Sequence, residues 1–141
     1  MSATFDSPAE FREVLDRIFE MMSEDPGMGP QLRDADVPQR FEFGDMDLVV
    51  NIRAAHEDEG GNLHWEWSDD VGWTPKVRMS MSSETANRYF QGKENVAMAI
   101  ARRRIKTGGD VKAALALIPI TKPIFGQYRD LVEAEYPHLR V

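Results

Sequence analysis

Apolar residues recur along this chain at two periods, and the changes of period divide it into elements. Phe11, Val14, Leu15, Ile18, Phe19 and Met22 follow helical spacing. Ser7, Pro8 and Glu10 stand before them as a capping box with proline at the favoured first position. Asp25-Pro26-Gly27-Met28-Gly29-Pro30 closes the helix, and its prolines and glycines predict only a short linking turn, so residues 1–35 read as an N-terminal helix and turn. From Gln39 to Ser82 the period is two, as in half-buried antiparallel strands. Phe41 and Phe43 alternate with Arg40 and Glu42; Leu48, Val50 and Ile52 with Asn51 and Arg53; Leu63, Trp65 and Trp67 with His64 and Glu66; Val77, Met79 and Met81 with Arg78 and Ser80. The breaks between these four strands are rich in turn residues and predict a meander of hairpins.

After Ser82 the helical period returns. Ser83 reads as a cap, Ala86, Tyr89 and Phe90 as the inner face, and Gly92 as the stop. A second helix covers about Asn95 to Ala101. Arg104 to Thr107 reads as a fifth strand, and Gly108-Gly109-Asp110 opens a helix carrying Val111, Ala114, Leu115 and Ile118, which Pro119 is expected to break. A last helix, 121–136, buries Ile124, Phe125, Tyr128, Leu131 and Val132. No linker or repeat divides the chain, so 1–141 reads as one domain. Four strands with a single apolar face need a cover, and the flanking amphipathic helices supply it. The predicted class is α/β (α+β), a mostly antiparallel five-stranded sheet covered on one face by helices.

Composition narrows the function by exclusion. The formal charge is −7 and the pI about 4.9, which argues against nucleic acid and disfavours anionic membranes. With no cysteine there is no disulfide framework, thiolate nucleophile or thiolate metal site, and His56, His64 and His138 share no ligand spacing. No run approaches the roughly 20 apolar residues of a membrane span, and no secretory signal is evident, so stable membrane insertion is not expected and a cytoplasmic location is.

Each chemically suggestive cluster carries a structural reading beside the functional one. His56-Glu57-Asp58-Glu59 offers ligand types in a row, but Gly60-Gly61-Asn62 marks a hairpin tip whose adjacent side chains diverge. Asp69-Asp70 reads as turn chemistry, and Asp110 as a helix cap that would repel phosphate. Trp73 reads as a lid or interface residue in a turn-rich segment. Arg102-Arg103-Arg104 fits a helix C-terminus, or equally a contact for an acyl-CoA phosphate or lipid headgroup. Met79, Met81 and Met98 at inward positions suit a wall that re-packs around varied ligands, as well as an irregular core.

The most specific stretch is Val77 to Leu117. A strand runs through Ser82-Ser83-Glu84 into a helix that closes on Gly92-Lys93; Asn95 and an apolar helix follow, then Ile105-Lys106, the Gly109-Asp110 turn and a Leu-rich helix. This order resembles the sterol carrier protein type two family, best over residues 39–118. It departs from that pattern at Arg103, where the family commonly has glycine, and at the additional Gly108. The resemblance implies an apolar tunnel between sheet and helices that accepts a fatty acid, fatty acyl-CoA, sterol or phospholipid. Combined with the inward positions, it draws the ligand-binding wall from Trp65, Trp67, Met79, Met81, Phe90, Met98, Ile105, Ile118, Phe125 and Tyr128. The expected activity is carriage of a lipid-like small molecule, with no catalytic residue, metal or cofactor and a possible homodimer. The alternatives are a small lipid- or steroid-directed enzyme using a buried carboxylate or His64 as base, and an interaction domain that dimerises or docks on a larger enzyme.

Overall fold

Ser7 starts the first helix as its sequence requires: its Oγ accepts the Glu10 amide at 3.1 Å, while the Glu10 carboxylate reaches back to the Asp6 amide at 3.0 Å. The computed structural model describes residues 4–141. Helix α1 (Pro8–Glu24) buries Phe11, Val14, Leu15, Ile18, Phe19 and Met22. Where the glycines and prolines predict a turn, a second helix forms instead, α2 (Met28–Ala35). Asp25 is the reason: its Oδ1 accepts the amides of Gly27 and Met28 at 2.9 and 2.8 Å, which caps a new helix. Pro30 then falls in the first turn, where an amide hydrogen is not needed.

Five strands make one sheet: β1 (Gln39–Phe43), β2 (Leu48–Ala54), β3 (Leu63–Glu66), β4 (Val77–Ser80) and β5 (Lys106–Gly109), in the order β3-β2-β1-β4-β5. Three of the pairings are antiparallel, but β4 lies parallel to β1, with Phe41 opposite Met79. The sheet is therefore mixed, and the expected meander ends at β3. Residues 67–76 cross the uncovered face of the sheet to its other side. Asn51 Nδ2 and Arg40 Nη1 hold this crossover by donating to the carbonyls of Ser68 and Asp69, and Trp73 lies 4.7 Å from the Arg53 guanidinium.

Helices α3 (Ser83–Phe90), α4 (Val96–Ala101), α5 (Val111–Thr121) and α6 (Pro123–Glu135) complete the fold, followed by a 3-10 turn, Pro137–Leu139. The cap of α3 is Ser82, whose Oγ accepts the Thr85 amide; Ser83 instead donates its amide and hydroxyl to Asp45 and ties α3 to the β1–β2 turn. Strand β5 begins two residues later than expected, because Arg103 turns through a left-handed conformation. At Gly109 a side chain is excluded: φ is +78°, and a Cβ would stand 2.5 Å from the Lys76 carbonyl oxygen. Pro119 does not break α5. It sits exposed in the last turn, and Thr121 Oγ1 donates to the Ile118 carbonyl at 3.2 Å there.

Asp110 caps α5, its Oδ1 accepting the Ala113 amide at 3.0 Å. Asp110→Ala is expected to lower stability by roughly 1 kcal/mol and leave ligand affinity unchanged. Thermal melts read beside ligand titrations check this; an affinity collapse at constant melting temperature would make Asp110 a ligand contact.

Candidate functional site

The covered face of the sheet is apolar because its alternation is strict, and the helices do not fill all the space above it. A narrow pocket of about 90 Å³ remains. Its floor is Gln39, Phe41, Phe43, Ile52, Ala54, Leu63, Met79 and Met81. Leu15, Phe19 and Met22 of α1 and Leu32 of α2, with Val37 after it, close one side. Ala86, Tyr89 and Phe90 of α3, with Val96 and Ile105, close another, and Ala114, Leu117, Ile118 and Thr121 of α5 form the roof.

Polar groups in this wall are few: Gln39, the Tyr89 phenol and the Thr121 hydroxyl. Tyr89 Oη lies 3.4 Å from Thr121 Oγ1, so two of the three polar side chains of the wall meet at one place. Burial raises the Tyr89 pKa above the usual phenol value, against a smaller opposing effect of the Thr121 hydrogen bond, and the group stays protonated at neutral pH. Every other lining side chain is apolar, so the wall is suited to hold a hydrocarbon and to orient one polar end by hydroxyls.

Of the ten residues expected to form the wall, Met79, Met81, Phe90, Ile105 and Ile118 come together here. The other five lie elsewhere. Trp65 and Trp67 project from the covered face, but α1 lies over them: Trp65 stacks edge-on to Phe19 at 5.5 Å, and both indole N–H groups donate to Asp16 Oδ1, at 3.0 and 2.7 Å. Met98 points outward on α4 and is 43% exposed. Phe125 packs behind the pocket against Tyr89 at 5.7 Å, and Tyr128 is fully buried with its hydroxyl donating to Asn87 Oδ1 at 2.6 Å. The contribution of α1 was open to discovery, since its stripe of Leu15, Phe19 and Met22 is plain in the sequence. That of α2 was hidden by the proline and glycine signals.

The remaining clusters resolve into structural roles. Arg53 donates to both Glu59 oxygens at 2.7 and 2.9 Å, and these bonds, with the His56 amide, hold the Glu59 carboxyl down to about 2; the pair closes the β2–β3 hairpin tip. His64 faces away from the pocket, 3.1 Å from Glu66 and edge-on to Trp73. Ser68 Oγ accepts the Asp70 amide, a local turn. At the chain ends His138 Nε2 lies 2.8 Å from Glu10 Oε1 and 3.8 Å from Asp6. Burial opposes the charge of Glu10, yet the His138 and Asp6 hydrogen bonds outweigh it and hold its pKa below the usual range. Among the described residues no helix is long and apolar enough to cross a membrane.

No protein-family model and no curated protein matches the chain. Solved structures do. The UbiJ-SCP2 ubiquinone synthesis protein superposes with a TM-score of 0.60 at 7% identity, covering 83% of this chain and 96% of that one. Sterol carrier protein 2 from Yarrowia lipolytica, in its apo form, gives 0.56 at 14% identity, covering 86% and 96%. The sterol carrier protein domain 2 of Helicoverpa armigera gives 0.54 at 16% identity, covering 89% and 95%. The sec-alkylsulfatase Pisa1 from Pseudomonas sp. gives 0.61 at 15% identity over 75% of this chain, which spans only 16% of that much longer one. At such identities the likeness establishes the fold: one five-stranded sheet with a helical cover, of the sterol carrier protein type two kind.

Proposed function

We propose that this chain, on its sterol-carrier-like fold, binds and carries a lipid-like molecule in the pocket between sheet and helices. The observation behind the proposal is the wall itself, apolar except for Gln39 in the floor and the paired Tyr89 and Thr121 hydroxyls. A fatty acid, acyl-CoA, sterol or phospholipid places its hydrocarbon against Phe41, Met79 and Leu117 and its polar end toward these hydroxyls. Met22, Met79 and Met81 give the wall side chains that re-pack around chains of different shape.

The pocket is small. An engineered cavity of about 150 Å³ admits benzene, so 90 Å³ is less than a long chain needs. Carriage therefore requires the cover to move, and α5 is the element to do so: it roofs the pocket with one face and leaves the other to solvent.

Chain length tests the reading. Each methylene transferred from water contributes about 0.8 kcal/mol, or roughly fourfold in affinity. Fatty acids of increasing length are expected to bind progressively tighter; a flat series would sink the proposal. Ile118→Trp, which fills the space from the roof, is expected to weaken long-chain binding about fifteenfold for every two methylenes displaced, with the circular dichroism unchanged. Native mass spectrometry before and after denaturing extraction shows directly whether a lipid accompanies the purified protein.

The sulfatase neighbour supports a second reading, in which the same fold serves as a module attached to or docked on a larger enzyme. Retention of a large partner through size exclusion, with an empty pocket, distinguishes it from carriage.

A further inference from the structure

The charge of −7 is unevenly spread. Residues 96–122 hold six of the 17 Lys and Arg and one of the 24 Asp and Glu, so this stretch is net +5 in an acidic protein. It comprises α4, β5 and α5, the part of the fold beside and above the pocket.

The same stretch carries two of the three large apolar side chains exposed among the described residues, Met98 and Leu115. Helix α5 shows why this is not an incidental exposure. Its inner face, Ala114, Leu117 and Thr121, is buried, whereas Lys112, Leu115, Ala116, Pro119 and Lys122 form the outer stripe, all exposed. An outer stripe on an ordinary surface helix is polar; here it is apolar with a lysine at each end, about 15 Å apart along the axis. On α4 the pattern repeats: Ala97, Met98 and Ala101 are exposed and run into Arg102 and Arg103. The two helices share one small cluster beneath them, Met79, Ala99, Ile105 and Ala114, so both pack over the β4 side of the sheet.

We infer that the outer α4–α5 face docks on an anionic lipid bilayer. Aliphatic side chains enter the headgroup boundary, and flexible lysines and arginines meet the phosphates around them. Arg104 is engaged with Glu94, but no acidic group among the described residues pairs with Arg102, Arg103, Lys112 or Lys122. The outer face of α5 has no aromatic or amide side chain to read bases, which favours lipid over nucleic acid. The roof of the pocket is the inner face of the same helix, so an α5 drawn toward lipid leaves the sheet and opens the pocket where ligand would enter or leave. The purpose of this face rests on the carrier reading; its geometry does not.

The experiment is flotation of the full chain with phosphatidylcholine vesicles, with and without phosphatidylserine. Binding is expected to the anionic vesicles only and to be lost at high salt. Lys112→Gln/Lys122→Gln is expected to weaken partition roughly thirtyfold, and Leu115→Ser to weaken it as well, with circular dichroism and fatty-acid affinity as in the wild type. Wild type that ignores anionic vesicles, or variants that float as well as it does, overturns the inference. So does a stronger, equally charge-dependent affinity for a DNA oligonucleotide or an acidic protein. Fatty-acid binding without flotation removes this inference alone; flotation by a chain that binds no fatty acid removes the carrier reading alone.

Discussion

Asn87→Ala is expected to destabilise the protein by about 3–5 kcal/mol, far more than the loss of one hydrogen bond. Asn87 is 1% exposed and sits at the centre of a buried polar network. Its Oδ1 accepts from Tyr128 Oη at 2.6 Å and Gln91 Nε2 at 2.9 Å, and its Nδ2 donates to the Leu139 carbonyl at 2.8 Å. Alanine leaves the Tyr128 hydroxyl and one Gln91 N–H without an acceptor in the interior and adds a cavity. The Leu139 carbonyl keeps Gln91 as a donor, so the damage centres on Tyr128. Burial raises the Tyr128 pKa, and the phenol cannot escape by ionising at neutral pH. Tyr128→Phe is the control: Asn87 Oδ1 retains Gln91, and a loss of about 1 kcal/mol is expected. Equal, small losses from chemical denaturation of the two variants would show that water satisfies the network.

The elements were legible wherever a strong period met a cap. The stripe of α1 with Ser7, and the alternation in β1 through β4, define element type and buried face at once. The partner of each strand is not written in that alternation. A period of two says which face is apolar, while a turn-rich linker such as residues 67–76 reads the same as a hairpin or as a crossover, and the parallel β1–β4 pair escaped for that reason. Helix α2 escaped because Gly27, Gly29 and Pro30 speak locally for a turn, while the Asp25 cap that overrides them depends on where its side chain points.

The site was legible to the same depth. Inward-facing Met79, Met81, Phe90, Ile105 and Ile118 line the pocket, because facing the cover is the only condition they had to meet. Trp65 and Trp67 meet that condition too, yet they lie under α1, and Asp16 takes both indoles; position along the sheet cannot be read from period. Net charge is likewise a sum over the whole chain: a total of −7 argues against anionic membranes only where the charge is uniform, and the +5 of residues 96–122 does not show in that total.

Truncation after Lys122 is expected to abolish the fold. The resemblance to sterol carriers implies a tunnel, and with Phe125 and Tyr128 drawn into its wall the last helix is expected to be a separate side of it, whose loss lowers binding more than folding. None of the pocket lining comes from α6. Instead α6 and the turn after it place Ile124, Tyr128, Leu131, Val132 and Leu139 in the main core, three of them with no exposed surface. Burying five such side chains contributes about 7–15 kcal/mol, comparable to the whole stability of an ordinary domain. The cut also removes the Leu139 carbonyl and Tyr128 from the Asn87 network, and with Glu135 and His138 it removes ion-pair partners of Arg17 and Glu10 on α1. The shortened chain is therefore expected to show a disordered far-ultraviolet spectrum or to associate through its exposed core, and to lose fatty-acid binding together with its fold. A monomer that kept the native spectrum and lost only binding would return α6 to the wall of the cavity. Loss of both together means that α6 holds up the sheet and helices around the pocket, leaving α5 as the side free to open.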